Sequence, residues 1–169
     1  MKVLGTCRVV DAFDAWGSHN TSWRVGRTIT TPLDAVETVL TYYWLLAWRI
    51  LRAEPVVCFR AEFAALDIPE IFTYRGVQLD EWAKSVEQDT VNRSGDDVRK
   101  MAAAPRAVVG PLVCTCDGDS SQPRPPYVVF DGWHRGAAWV LQGQAGKLYP
   151  ISAMLIVTKR SLHMGQGAA

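Results

Sequence analysis

The sequence predicts an α/β domain, and three observations predict it. Segments with helical apolar spacing alternate with short β-branched runs. The 169 residues suffice for one domain with a sizeable core. With 49% hydrophobic and 21% charged residues and a mean hydropathy near zero, the composition excludes a fully disordered chain.

The elements follow in order. Met1 to Gly5 is soon interrupted by Arg8, Asp11 and Asp14, so no apolar stretch of signal-peptide length develops and export is not expected. Thr31 is a candidate N-cap, Pro32 suits the first helical position and Asp34 the first turn. Leu33, Val36, Val39, Leu40, Tyr43, Trp44, Ala47 and Ile50 keep the 3.6-residue period, and Pro55 stops it, predicting one helix near 32–53. Tyr42, Leu45, Leu46 and Trp48 make its other side apolar as well, so burial between two layers is expected ahead of an interface with a partner chain. Its most apolar run, Val39 to Trp48, is about half the ~20 residues that cross a bilayer, so no membrane span is expected.

Val56 to Phe59 reads as a short strand, and 66–76 as an extended piece with turns. Leu79, Trp82, Ala83 and Val86 predict a second helix that ends before Asn92, and Asp96 caps a third that Pro105 ends after Ala104. Val108 to Cys116 and Tyr127 to Phe130 read as strands. The proline-bearing connection 117–126 between them is expected to be a surface hairpin loop without regular structure. A helix from Gly136, ended by Gly143 to Gly146, and a strand from Ile151 to Val157 complete the core, leaving 161–169 as a loose tail. Neither a repeat nor a convincing domain boundary is visible.

The net charge of +1 supplies no general drive toward polyanions, which makes a histone-like role improbable. Residues 127–169 nevertheless hold four basic residues against one acid, so any phosphate-binding surface belongs there. Cys7, Cys58, Cys114 and Cys116 form no disulfide framework and read as reduced thiols of a cytoplasmic protein. Cys58 reads as a small core hydrophobe, and Cys114 with Cys116 as same-face strand residues in preference to a zinc pair. His19 and His163 read as surface residues.

Chemistry concentrates where a strand runs through Asp131 and a glycine turn into a helix that begins with His134 and Arg135. Amide N–H groups at a helix start, reinforced by the dipole, make an anion site. Gly132 permits a tight turn, and His134 and Arg135 add charge-assisted donors for phosphate oxygens. Asp131 suits capping the helix, orienting His134 or sharing a magnesium ion with the phosphates. The plain alternative, a helix start with solvent-facing polar side chains, stays open on these grounds.

Val128 to Ala138, V-V-F-D-G-W-H-R-G-A-A, resembles the signature of the ParB/sulfiredoxin superfamily, in which a strand enters a D-G-x-H-R or G-G-C-H-R turn and an alanine-rich helix. Arg75 to Val86 resembles the family's early arginine and following helix, Gly110 to Val113 its next strand, and Ile151 to Val157 its closing strand. The likeness covers 66–158 and implies a small mixed sheet flanked by helices; residues 1–60, which have no counterpart in it, are expected to form an N-terminal helical extension. It implies a nucleoside triphosphate such as ATP, with Mg2+, cradled by Gly132, His134 and Arg135. Trp133 lies in the same cofactor-binding turn, Ser85 approaches from the earlier helix, and Arg75 contacts phosphate or substrate.

Trp133 stands where sulfiredoxin carries its reactive cysteine, which disfavours sulfinic acid reduction. The G-E-R-R motif of partition proteins is missing, which disfavours centromere clamping. The resemblance leaves a phosphohydrolase (an ATPase with DNase activity, similar to the Osa-type plasmid fertility inhibitors) as the first reading. There His134 and Arg135 would stabilise charge, and Asp131 or Glu70 would orient water or metal. A free-serine-kinase-like enzyme with Glu70 as base is the second, and a non-catalytic nucleotide-sensing inhibitor the third. DNA and a protein of a transfer or defence system are the implied partners; the oligomeric state stays open, and the broadly apolar 32–53 helix makes a homodimer worth testing. Trp16, Trp23, Trp44 and Trp48 would suit an interface, although core packing is expected for most of them.

Overall fold

The computed structural model describes residues 1–19, 31–89, 93–104, 108, 110–146 and 149–160; Trp23, Asn92, Pro105, His163 and the rest of the tail from Ser161 lie outside them. Six strands, β1 (Lys2–Cys7), β2 (Pro55–Phe63), β3 (Ile71–Thr73), β4 (Leu112–Gly118), β5 (Pro123–Asp131) and β6 (Ile151–Thr158), form one sheet in the order β1-β2-β6-β4-β5-β3. The pairs β1–β2, β2–β6 and β4–β5 are antiparallel, and β4–β6 and β3–β5 are parallel. The predicted α/β class with a mixed sheet is therefore observed.

Helices cover both faces. Ala153, Leu155 and Val157 of β6 face a layer made by α4 (Leu79–Gln88), α5 (Arg93–Ala103) and α6 (Trp133–Gln144). Met154 and Ile156, between them, face α1 (Val9–His19), α2 (Pro32–Tyr42) and α3 (Trp44–Arg52). Burial on both sides explains why β4, β5 and β6 read as continuous apolar runs without alternation.

Four features differ from the sequence expectation. The helix expected over 32–53 is two helices meeting at Tyr43, whose φ of −123° and ψ of 24° leave helical geometry. Its predicted start holds: the Thr31 hydroxyl accepts from the Asp34 N–H while the Asp34 carboxylate accepts from the Thr31 N–H. The break turns the Tyr43 ring inward against Trp16, with centroids 5.6 Å apart. Second, the outer side of α3 is not covered: Trp44, Leu45 and Trp48 are 57%, 60% and 54% exposed, whereas Trp16 is buried as expected.

Third, residues 1–60 do more than extend the domain. They supply β1 and most of β2, and so enter the sheet itself. Fourth, β5 begins at Pro123, inside the expected loop. Prolines are tolerated there because β3 pairs only with Tyr127 to Val129, leaving the first residues of β5 without a strand on that side. The true connection is the short turn in which the Asp119 carboxylate accepts from the Ser121 and Gln122 N–H groups.

Candidate functional site at the start of the last helix

β5 ends at Asp131, and Gly132 turns the chain into α6 with a φ of +88°. Glycine is required twice over. The left-handed backbone is strained for any other residue, and a Cβ would lie 2.8 Å from Nη2 of Arg135 and 3.0 Å from the Leu112 side chain. The Gly136 N–H donates to the Gly132 carbonyl at 2.8 Å, closing the first helical turn, and the N-cap residue, Gly132, has no side chain with which to cap it.

Arg135 turns inward. Its Nη2 donates to Oδ2 of Asp131 at 2.9 Å and to the Pro111 carbonyl at 2.8 Å, tying the end of β5 to the segment entering β4. The two side chains are only 16% and 12% exposed, and the Arg135 Nε is buried without an acceptor. The guanidinium is thus engaged in holding the turn, and Asp131 is engaged with it. Among the described residues no cluster of three or more His, Cys, Asp or Glu side chains could hold a metal ion.

His134 is exposed at the mouth of the site, its ring 5.9 Å from that of Trp82 on α4. Trp133 is half-buried; its Nε1 donates to the Phe130 carbonyl at 2.9 Å, and its ring meets Tyr74 edge-on at 4.6 Å and Trp82 at 6.0 Å. Arg75 reaches the same rim, donating from Nε to the Tyr74 hydroxyl at 3.2 Å with its guanidinium 5.6 Å from that ring. Tyr74 is fixed by its N–H bond to the Val129 carbonyl, which prolongs the β3–β5 pairing. The Leu79 side chain lies beside Gly136, and Trp82 lies beside His134, so α4 runs counter to α6. Ser85, one turn beyond Trp82 on α4, is exposed.

Ser85 thus lies on the neighbouring helix α4, and six of the eight sequence-derived residues, Arg75 and Asp131 to Arg135, gather around one turn. Glu70 does not. It ends a 3₁₀ turn (Ala65–Glu70) at the opposite end of β3, because Ile71 pairs with Tyr127; about five strand positions, roughly 16 Å, separate it from the level of Asp131. Sequence reasoning missed Tyr74, for which adjacency to Arg75 was the available signal; Trp82 packs against the core and also meets Trp133 and His134 at the rim.

Comparison with protein-family models, with curated proteins and with solved structures finds no match. Elsewhere, Cys114 and Cys116 share the α4–α6 face of β4, as their spacing predicted, and burial pushes both thiols up, Cys116 to about 12. A shallow cleft of about 380 Å³ at the other end of the sheet is lined by Asp117, Arg124, Thr158 and Lys159. Arg124 pairs with Asp119, and Lys159 with Glu54.

Proposed function

We propose that this chain binds a nucleoside triphosphate at the N-terminus of α6 and holds it without hydrolysing it, as a nucleotide-sensing module. The observation that carries the reading is a helix N-terminus entered through Gly132 and rimmed by two exposed nitrogenous side chains, His134 and Arg75, and by the rings of Tyr74, Trp82 and Trp133. Amide dipoles and cations suit the phosphates, and half-exposed aromatic rings suit a planar base. The resemblance of Val128 to Ala138 to the ParB/sulfiredoxin signature supports the same ligand class.

In this reading the first-turn amides of α6 receive the phosphates, His134 and Arg75 neutralise their charge, and the Ser85 hydroxyl adds a donor. Arg135 and Asp131 act as positioning residues, fixing the backbone of the turn. Retention is favoured over turnover because neither of the two carboxylates offered as base or metal ligand is set apart for that task beside the turn. Asp131 is already paired with Arg135, and Glu70 lies at the far end of its strand.

Calorimetric titration with ATP, ADP and CTP, with and without magnesium and with phosphate release followed in the same samples, tests this. Binding is expected to weaken at least about tenfold in His134→Ala and in Arg75→Ala, a change of about 1.4 kcal/mol, with no phosphate released. Binding unchanged in both variants, or no binding of any nucleotide, refutes the site. Steady phosphate release that His134→Ala abolishes refutes retention and makes the turn a hydrolase.

A further inference from the structure

The helix pair α2–α3 exposes a surface that the nucleotide reading leaves unused. In α3, Ala47 and Ile50 point into the core, while Trp44, Leu45, Trp48 and Leu51 point outward. Residues 44, 48 and 51 follow the i, i+4, i+7 spacing of a single stripe. Leu40 and Tyr42, both about half exposed at the end of α2, lead into it across the bend at Tyr43. Two tryptophans, a tyrosine and three leucines on consecutive turns exceed the scattered exposed apolar residues of an ordinary surface.

Charge selects the occupant. From Thr38 to Ala53 the chain carries Arg49 and Arg52 and no acidic residue, both arginines falling in the last turn of α3. The matching surface must be apolar at depth and negative at its boundary. A second copy would present the same two arginines and no acid between Thr38 and Ala53 to answer them. Tryptophan and tyrosine with arginine beside leucine are the residues that settle at the headgroup boundary of a bilayer. Among the described residues no helix is long and apolar enough to cross a membrane, so such a contact lies in its plane.

We infer that the outer face of α2–α3 docks in-plane on an anionic lipid surface, with Trp44, Leu45, Trp48 and Leu51 entering the acyl boundary and Arg49 and Arg52 meeting the headgroups. Independently of any nucleotide, this makes the protein a peripheral one. Its two faces are then divided in use: α1–α3 toward lipid, and α4–α6 carrying the turn at Gly132.

Flotation with phosphatidylcholine vesicles, alone or mixed with phosphatidylglycerol, decides the matter, using the full chain. Association is expected with the mixed vesicles only and should weaken several-fold between about 0.1 and 0.5 M salt. Brominated acyl chains should quench fluorescence in the wild type and much less in Trp44→Phe/Trp48→Phe. Trp48→Ser and Leu45→Ser should each lower partitioning about tenfold, and Arg52→Gln about fivefold. Circular dichroism should show all variants folded, since the substituted side chains are exposed. Equal association with pure phosphatidylcholine, or none with either vesicle, overturns the inference. So does a dimer seen by light scattering that Trp48→Ser dissolves, which would assign the stripe to a second copy.

Discussion

The guanidinium of Arg135 occupies the space that a Cβ at position 132 would need, so glycine and arginine are fitted to one another before any ligand is considered. Removing the arginine leaves the Asp131 carboxylate buried without its cation and the Pro111 carbonyl without that donor. Arg135→Ala is therefore expected to cost about 3 kcal/mol in urea denaturation, and Gly132→Ala about 1–3 kcal/mol from backbone strain and crowding. His134→Ala, at an exposed position, should stay within about 0.5 kcal/mol. The contrast separates residues that build the turn from the residue that faces the ligand. The strand, glycine and helix start were legible in D-G-W-H-R; the direction of Arg135 was not. An arginine after a glycine reads equally as phosphate ligand or structural cation. Only its i, i+4 spacing from Asp131 hinted at the pair that forms, and register alone moved Glu70 away.

Between elements, the helices approach through small residues and satisfied ends. At Gly17 a Cβ would run into the Ala35 carbonyl, which sets the close crossing of α1 and α2. On the other face, the fully buried Gln142 of α6 sends its Nε2 to the Met101 and Ala104 carbonyls at 3.2 and 3.4 Å, capping the C-terminal end of α5 from outside. Gln142→Leu should cost about 1–3 kcal/mol, with amide exchange accelerating in α5 more than in β6. Helices α4 to α6 were legible because period and punctuation agreed. The break between α2 and α3 was not, since the apolar period continues unbroken through Tyr43 and only the inward stacking on Trp16 reveals why the chain bends.

Across the whole molecule, two apolar layers clasp a sheet whose cysteines are held as thiols. Burial raises Cys58 and Cys114 above their ordinary 9.0 and Cys116 to about 12, and it raises Tyr127 from 10.0 to about 12. Each raised value means that the folded state holds the proton more tightly than the unfolded chain does. Stability is thus full below about pH 9 and lost as pH rises toward about 12. Thermal unfolding between pH 8 and pH 11 should show a falling Tm, with a flatter slope in Cys116→Ala. At this scale the sequence was least informative: Lys2 to Cys7 is short, lacks a strict alternation and contains Gly5, so β1 went unread, and with it the fact that the first sixty residues share the sheet. The strand order has a further consequence for biosynthesis. Among the described strands β6 is made after all the others, yet it lies between β2 and β4 and joins the β1–β2 pair to the strands that follow. Until residues 151–158 have left the ribosome, the strands already made lack the one that pairs with both β2 and β4, so closure of the sheet awaits β6.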